Sequence, residues 1–468
     1  MDRIRKWAAT PPPEYEPIQQ PLNPDDNDHQ SISSEHQTAP RFSRFEYAVF
    51  FLLGVSMLWA WNMFLAAAPY FYHRFQSDDW AATHYQSSIL TVSTITNLGS
   101  VYILAKLQKG ASYPRRISIS LLINIAVFTL LAFSTIIAKH VSVSTYFGFL
   151  MVMVFGASLA TGINQNGVFA YVSGFGREEY TQAIMAGQGV AGVLPCIVQI
   201  LSVIVVPQKK ADQPEETPQE SSKSAFAYFI TATLVSFSAL LAFLSLVKRR
   251  SSASPLTPDL FQTDHQTTPT ASPEVDDNQT HNHHDHHDPP TKTISLLALF
   301  KKLRLMALSI FLCYAITMIF PVFTAEIESV HDPSSSRIFD PPVFIPLAFL
   351  FWNIGDLAGR MFVLIPSLSL AHRPWALFLL SLSRIIFIPL YLLCNIRGRG
   401  AAVPSDVFYL GVVQLLFGVS NGYLGSCCMM GAGHWVEEEE REPTGGFMGF
   451  MLVGGLTAGS LLSFGVSS

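Results

Sequence analysis

Apolar residues along this chain gather into eleven runs, at about residues 45–71, 85–107, 116–138, 145–171, 181–206, 225–247, 304–325, 342–365, 375–395, 406–431 and 444–466. Each approaches or exceeds the roughly 20 residues that an α-helix needs to cross a bilayer. The pattern predicts an all-α integral membrane protein with eleven transmembrane helices. A soluble helical protein also has apolar core helices, but not so many of bilayer length. The second run carries Ser, Thr and Asn throughout, and the fourth holds Asn164, Gln165 and Asn166. These two depart furthest from a lipid-facing pattern. Six runs precede a long polar interval and five follow it. That predicts a six-helix bundle over 45–247 and a five-helix bundle over 301–468.

Two polar segments lie outside the runs. Residues 1–44 are rich in Pro, Gln, Asp and Ser and cannot bury a core, so they are expected to be a disordered tail. With no apolar stretch at the start of this sequence, no cleavable signal peptide is expected, and the first run is expected to act as the insertion signal. Residues 248–300, rich in Ser, Thr, Pro, His and Asp, are expected to form a disordered linker. The tract His281-Asn282-His283-His284-Asp285-His286-His287-Asp288 has a composition that can bind zinc or copper. A polar linker that happens to be His-rich explains it more readily.

Composition agrees with a membrane protein. Hydrophobic residues are 49% of the chain and charged ones only 13%, where soluble domains run at about 25% charged. The net charge of −5, with no basic patch, argues against a nucleic-acid binder. All 5 cysteines fall in apolar stretches, so no disulfide framework between loops is expected. Lys and Arg placement sets orientation. They concentrate before the first run, at Lys106, Lys109, Arg115 and Arg116, and at the ends of the linker, outnumbering those on the opposite side roughly two to one. The N-terminus and linker are therefore expected on the cytoplasmic side. The sequon at Asn278 would then go unused.

Polar residues inside the runs carry the candidate chemistry, because lipid offers them no partner. Asp356 and Arg360 in the eighth run are four apart and share a helix face. Each alone would cost about 2.5–3.5 kcal/mol at the bilayer centre. The pair is either a clasp between helices or part of a polar pathway. Arg384 in the ninth run is a third charge, able to pair with Asp356 or to serve a gate. Asn421 in the tenth and Asn97 in the second are further polar positions. Leu58, Trp61 and Leu65 share a face of the first helix, as a packed stripe or as a wall for a planar ring. Gln165 offers both a donor and an acceptor, suited to a ligand with mixed edges or to a neighbouring helix.

Together these segments resemble the equilibrative nucleoside transporter family. The resemblance rests on Leu58-Trp59-Ala60-Trp61-Asn62-Met63-Phe64 in the first helix, and on the stretch from Gln165 through Tyr180-Thr181-Gln182-Ala183-Ile184-Met185-Ala186-Gly187-Gln188-Gly189. It rests further on Asn353, Asp356, Gly359 and Arg360, on Arg384-Ile385-Ile386-Phe387-Ile388-Pro389, and on Ser420-Asn421-Gly422-Tyr423-Leu424. Each piece is weak, and their order over about residues 45–466 is specific.

The resemblance implies a 6+5 major-facilitator-like arrangement around one central cavity. It implies facilitative transport of nucleosides, in some members nucleobases or organic cations, by alternating access. It implies that Trp61 and Leu65 wall the nucleobase site, with Leu58 nearby, and that Gln165 hydrogen-bonds the base. Asp356, Arg360 and Asn353 would form the polar end. Arg384 and Asn421 stand as gate or ion-pair candidates. Leu65 departs from the methionine of some members, which bears on base preference.

Proton-coupled nucleoside or organic-cation transport is the alternative, with Asp356 as a proton site. Zinc transport is the rival raised by the His tract, but the histidines lie in loops, tails or helix ends. No H-E-x-x-H pair or Gly-rich Lys-Ser/Thr loop points to an enzyme or to ATP drive. No cofactor and no metal are expected. The expected partners are a nucleoside and the lipid bilayer, with the protein a monomer. The home is a vacuolar or lysosomal membrane or the plasma membrane.

Overall fold

The computed structural model describes residues 42–108, 110–205, 218–253, 294–318, 320–332 and 335–467. Most of the expected N-terminal tail, the His-rich tract and the sequon at Asn278 lie outside the described residues. Among the described residues, eleven helices are long and apolar enough to cross a membrane. They are α1 (Arg44–Phe75), α2 (Asp79–Lys106), α3 (Tyr113–His140), α4 (Val143–Ser173), α5 (Glu178–Leu201), α6 (Ser222–Ser252), α7 (Leu296–Thr324), α8 (Pro341–Phe362), α9 (Pro374–Leu392), α10 (Phe408–Trp435) and α11 (Glu438–Ser463). Each corresponds to one apolar run, including the polar second and fourth.

The differences lie at ends and breaks. α1 breaks at Ala67 and restarts through Pro69, whose missing N–H is harmless in a first turn. α9 tightens into a 3-10 turn at Arg384–Ile386. Pro389 there has no N–H for the carbonyl of Ile385. α10 opens with a wide π turn at Phe408–Leu415. α11 starts six residues before its apolar run, because Glu437 and Glu440 cap each other's backbone and carry the acidic stretch into a helical turn.

Because successive helices alternate direction, the start of α1, the linker and the α2–α3, α4–α5, α8–α9 and α10–α11 connections share one side, called here the linker side. The opposite side is the far side. Among the described residues there are three apolar cores. One, on the linker side, mixes both bundles: Phe50, Phe169, Val172 and Ile184 pack in one cluster with Met306, Leu424, Cys427 and Phe447. On the far side each bundle has a core of its own. Phe64, Phe71, Phe128 and Phe229 belong to the first, and Phe320, Phe344, Tyr391 and Phe417 to the second. The bundles are thus fused toward the linker side and separate toward the far side.

Glycines permit the closest helix approaches. α8 and α10 interlock reciprocally: a Cβ on Gly355 would lie 2.2 Å from the carbonyl oxygen of Leu415, and one on Gly422 1.8 Å from that of Asp356. Between the bundles, a Cβ on Gly192 of α5 would lie 2.3 Å from Asn353 Oδ1 of α8. Beyond this level the far half of α5 is exposed at Leu194, Val198 and Leu201.

Candidate functional site

The shared core divides into two at one level of the protein. Along α1 the change falls between Met57 and Ala60, along α7 between Tyr314 and Ile316, and along α10 between Phe417 and Leu424. The intramembrane polar residues singled out in the sequence cluster at this level.

Asp356 and Arg360 are 3% and 4% exposed. Their shared helix face brings Arg360 Nε within 2.7 Å of Asp356 Oδ2. Arg360 Nη1 reaches across to α5, donating to the Met185 carbonyl at 2.8 Å and to Gln188 Oε1 at 3.1 Å. Arg360 therefore ties the two bundles together. Its Nη2 has no protein hydrogen bond among the described residues. The other Asp356 oxygen accepts from Asn421 Nδ2 at 2.6 Å.

Asn421 joins this pair to Arg384. Its Oδ1 accepts from Thr317 Oγ1 at 2.7 Å and from Arg384 Nη1 at 3.3 Å. Arg384 also donates to the Cys313 carbonyl at 2.8 Å and to Thr317 Oγ1 at 3.0 Å, and lies over the Phe417 ring at 4.5 Å. Arg384 is 1% exposed. Of the two roles open to it, direct pairing with Asp356 is not what the structure shows: Asn421 stands between them. The network holds two guanidiniums and one carboxylate, so it carries one net buried positive charge.

Asn353 lies two turns of α8 before Arg360, half-buried, donating to the Phe349 carbonyl at 2.9 Å and facing Cys196 of α5. Gln165 on α4 is 9% exposed, yet its amide has no hydrogen bond among the described residues. Its neighbour Asn166 is held by Arg116 at 2.7 Å. On α1, Leu58 and Trp61 are half-buried and Leu65 is 52% exposed. Trp61 stacks parallel to Phe64 and borders a cavity of about 10 Å³ with Asn124 and Thr161, room for about one water.

The structure thus joins Asp356, Arg360, Asn421 and Arg384 in one network, with Asn353 near its edge. It bonds none of Leu58, Trp61, Leu65 or Gln165 to that network, and Trp61 borders a cavity lined by residues of the first bundle. Four members of the site had no role in the sequence reading: Gln188, Thr317, Cys313 and Asn124. Cys313 and Thr317 are four apart in α7, a small polar face that could have been noticed. Gln188 stood inside a quoted motif. Asn124 gave no local sign.

Comparison with known proteins bears on what this constellation serves. A family model described as "Nucleoside transporter" matches residues 149–467. "Nucleoside transporter FUN26" of Saccharomyces cerevisiae is 31% identical, covering 93% of this chain and 87% of its own length. "Equilibrative nucleoside transporter 1" of Mus musculus is 28% identical over 92% of this chain and 99% of its own, and the Homo sapiens protein of that name is 27% identical over the same shares. Among solved structures, the major facilitator transporter FucP aligns with a TM-score of 0.51 at 15% identity, covering 91% of this chain and 98% of its own. A bacterial homologue of ferroportin aligns with a TM-score of 0.53 at 12% identity, covering 91% and 92%. At these identities the structural likeness speaks for the fold alone.

Proposed function

Because the chain belongs to the equilibrative nucleoside transporter family, an integral multi-pass group that moves nucleosides, we propose that its substrate binds where the shared core divides. In this reading Trp61, with Leu58 and Leu65 beside it, stacks on the base. Gln165 meets the base edge with its free amide. Arg360 offers its unused Nη2, and Asp356 and Asn353 complete the polar end. The observation that carries this is the coincidence of two free polar groups, on Gln165 and Arg360, with the level at which the bundles part.

Arg384 and Asn421 play a supporting part. They hold Asp356 from behind, so they set the gate's geometry without touching substrate. The residues 45–247 and 301–468 act as two rocking bundles. The fused linker side and parted far side correspond to a state that admits substrate from the far side. Opening the linker side requires the Arg360 contacts to Met185 and Gln188 to break, since they cross between bundles. We place the linker side in the cytoplasm on the Lys and Arg bias, and the protein works as a monomer.

Uptake of labelled uridine or adenosine into proteoliposomes tests the reading. The inside concentration is expected to rise to the outside level and stop. Accumulation above that level under an imposed pH step would replace facilitated flow with proton coupling. Normal uptake by both Gln165→Ala and Arg360→Ala would remove the site assignment.

A further inference from the structure

Three connections meet on the linker side: the α4–α5 turn of the first bundle and the α8–α9 and α10–α11 connections of the second. Glu178 opens α5, His434 lies in the last turn of α10, and His372 sits in the α8–α9 connection. His434 Nε2 lies 2.5 Å from Glu178 Oε1, with side chains 40% and 34% exposed. The His372 ring stacks on His434, centroids 4.6 Å apart and planes at 24°. A cavity of about 60 Å³ opens beside them, bordered by Arg177, Thr181, Met430 and Arg441. Linker-side water therefore reaches the cluster.

The charged and titratable surroundings do not cancel the contact. On the α4–α5 turn, Arg177 lies 3.7 Å from Glu179. From α11, Arg441 lies 3.8 Å from Glu438 and close to Gly176, and Glu442 packs against Gly174. From α10, the buried Cys427 adjoins the cluster. From the α8–α9 connection comes His372 itself. Arg177 and Arg441 each have a carboxylate neighbour of their own. Glu178 is left with the imidazoles.

Glu178 and His434 belong to different bundles, so their contact exists only while the linker side is closed. Histidine changes charge between about pH 5 and 8. With His434 neutral, Glu178 Oε1 has no hydrogen bond of good geometry among the described residues. With His434 protonated the same contact becomes an ion pair across the seam.

We propose that Glu178 and His434 form a latch, strengthened by a proton from the linker side, that positions the two bundles shut there, with His372 bracing the ring. This rests on the alternating-access reading above. Lowering linker-side pH then holds the protein open to the far side and slows turnover. The same acidification on the far side does not act through these residues.

The test uses full-length protein in liposomes of one orientation. Linker-side pH is lowered from about 7.5 to about 6.0 across the histidine range, with the far side held constant. Wild-type nucleoside exchange is expected to fall about two- to five-fold, the range for a partly exposed ion pair. Glu178→Gln and His434→Gln are expected to flatten that response, and Glu178→Asp to restore part of it. Maleimide labelling of Met430→Cys, read at that position by mass spectrometry, reports opening without requiring transport. It is expected to fall with linker-side pH and to lose that dependence when Glu178→Gln is added. A wild type indifferent to linker-side pH, or variants that keep its profile, would overturn the latch. Loss of nucleoside transport with pH-dependent labelling intact would instead count against the substrate site and leave the latch standing.

Discussion

The net charge of the buried network yields a prediction about Asp356 and Arg360 that separates stability from transport. In the wild type one carboxylate faces two guanidiniums, Arg360 directly and Arg384 through Asn421. Asp356→Asn removes the only carboxylate in the hydrogen-bonded set and leaves two uncompensated buried positive charges. Arg360→Met leaves one positive and one negative charge, still bridged by Asn421. It strips a donor from Asp356, from the Met185 carbonyl and from Gln188. Breaking a buried pair so that charge is stranded costs about 3–5 kcal/mol. Leaving a neutral buried group unsatisfied costs about 1–3 kcal/mol. Asp356→Asn is therefore expected to be the more destabilising change. The double variant returns the network to the wild-type net charge, so it is expected to recover about 1–2 kcal/mol relative to Asp356→Asn alone. Unfolding of purified protein in graded denaturing detergent measures the order. Nucleoside uptake by the same preparations is expected to be lost in all three. A double variant less stable than Asp356→Asn would refute the charge argument. Normal uptake by the double variant would show that the pair clasps helices and does not serve the substrate.

Gln165→Ala should leave melting temperature unchanged, because the amide bonds no described residue, while raising KM for nucleoside about 5- to 30-fold, the equivalent of one hydrogen bond of about 1–2 kcal/mol. A lowered melting temperature would reassign Gln165 to packing. Gly422→Ala should lower stability by about 1–3 kcal/mol, since the new methyl would meet the Asp356 carbonyl and push α10 from α8. Wild-type melting behaviour would show that the two helices are not interlocked. Trp61→Phe should keep more transport than Trp61→Ala if the ring stacks on a base. Equal loss in both would point to packing instead.

Sequence alone determined the architecture, because lipid leaves the backbone few solutions. An apolar run of bilayer length must be a helix, so eleven runs meant eleven spans, even where Asn164 and Gln165 interrupt the pattern. The i, i+4 spacing of Asp356 and Arg360 also settled that those two would meet, since one helix carries both. What the tertiary structure decided lies between helices. Asn421 stands between Asp356 and Arg384 because α8 and α10 interlock through glycines, and no spacing within a single run encodes that register. Gln188 accepts from Arg360 only because α5 and α8 lie against each other at the seam. Helix ends moved where capping, as at Glu437, outweighed hydropathy. Glu178, His372 and His434 are isolated polar residues in three separate connections. Nothing local to any of them announces the other two: packing within the second bundle stacks His372 on His434, and only the closure of one bundle against the other brings Glu178 into reach.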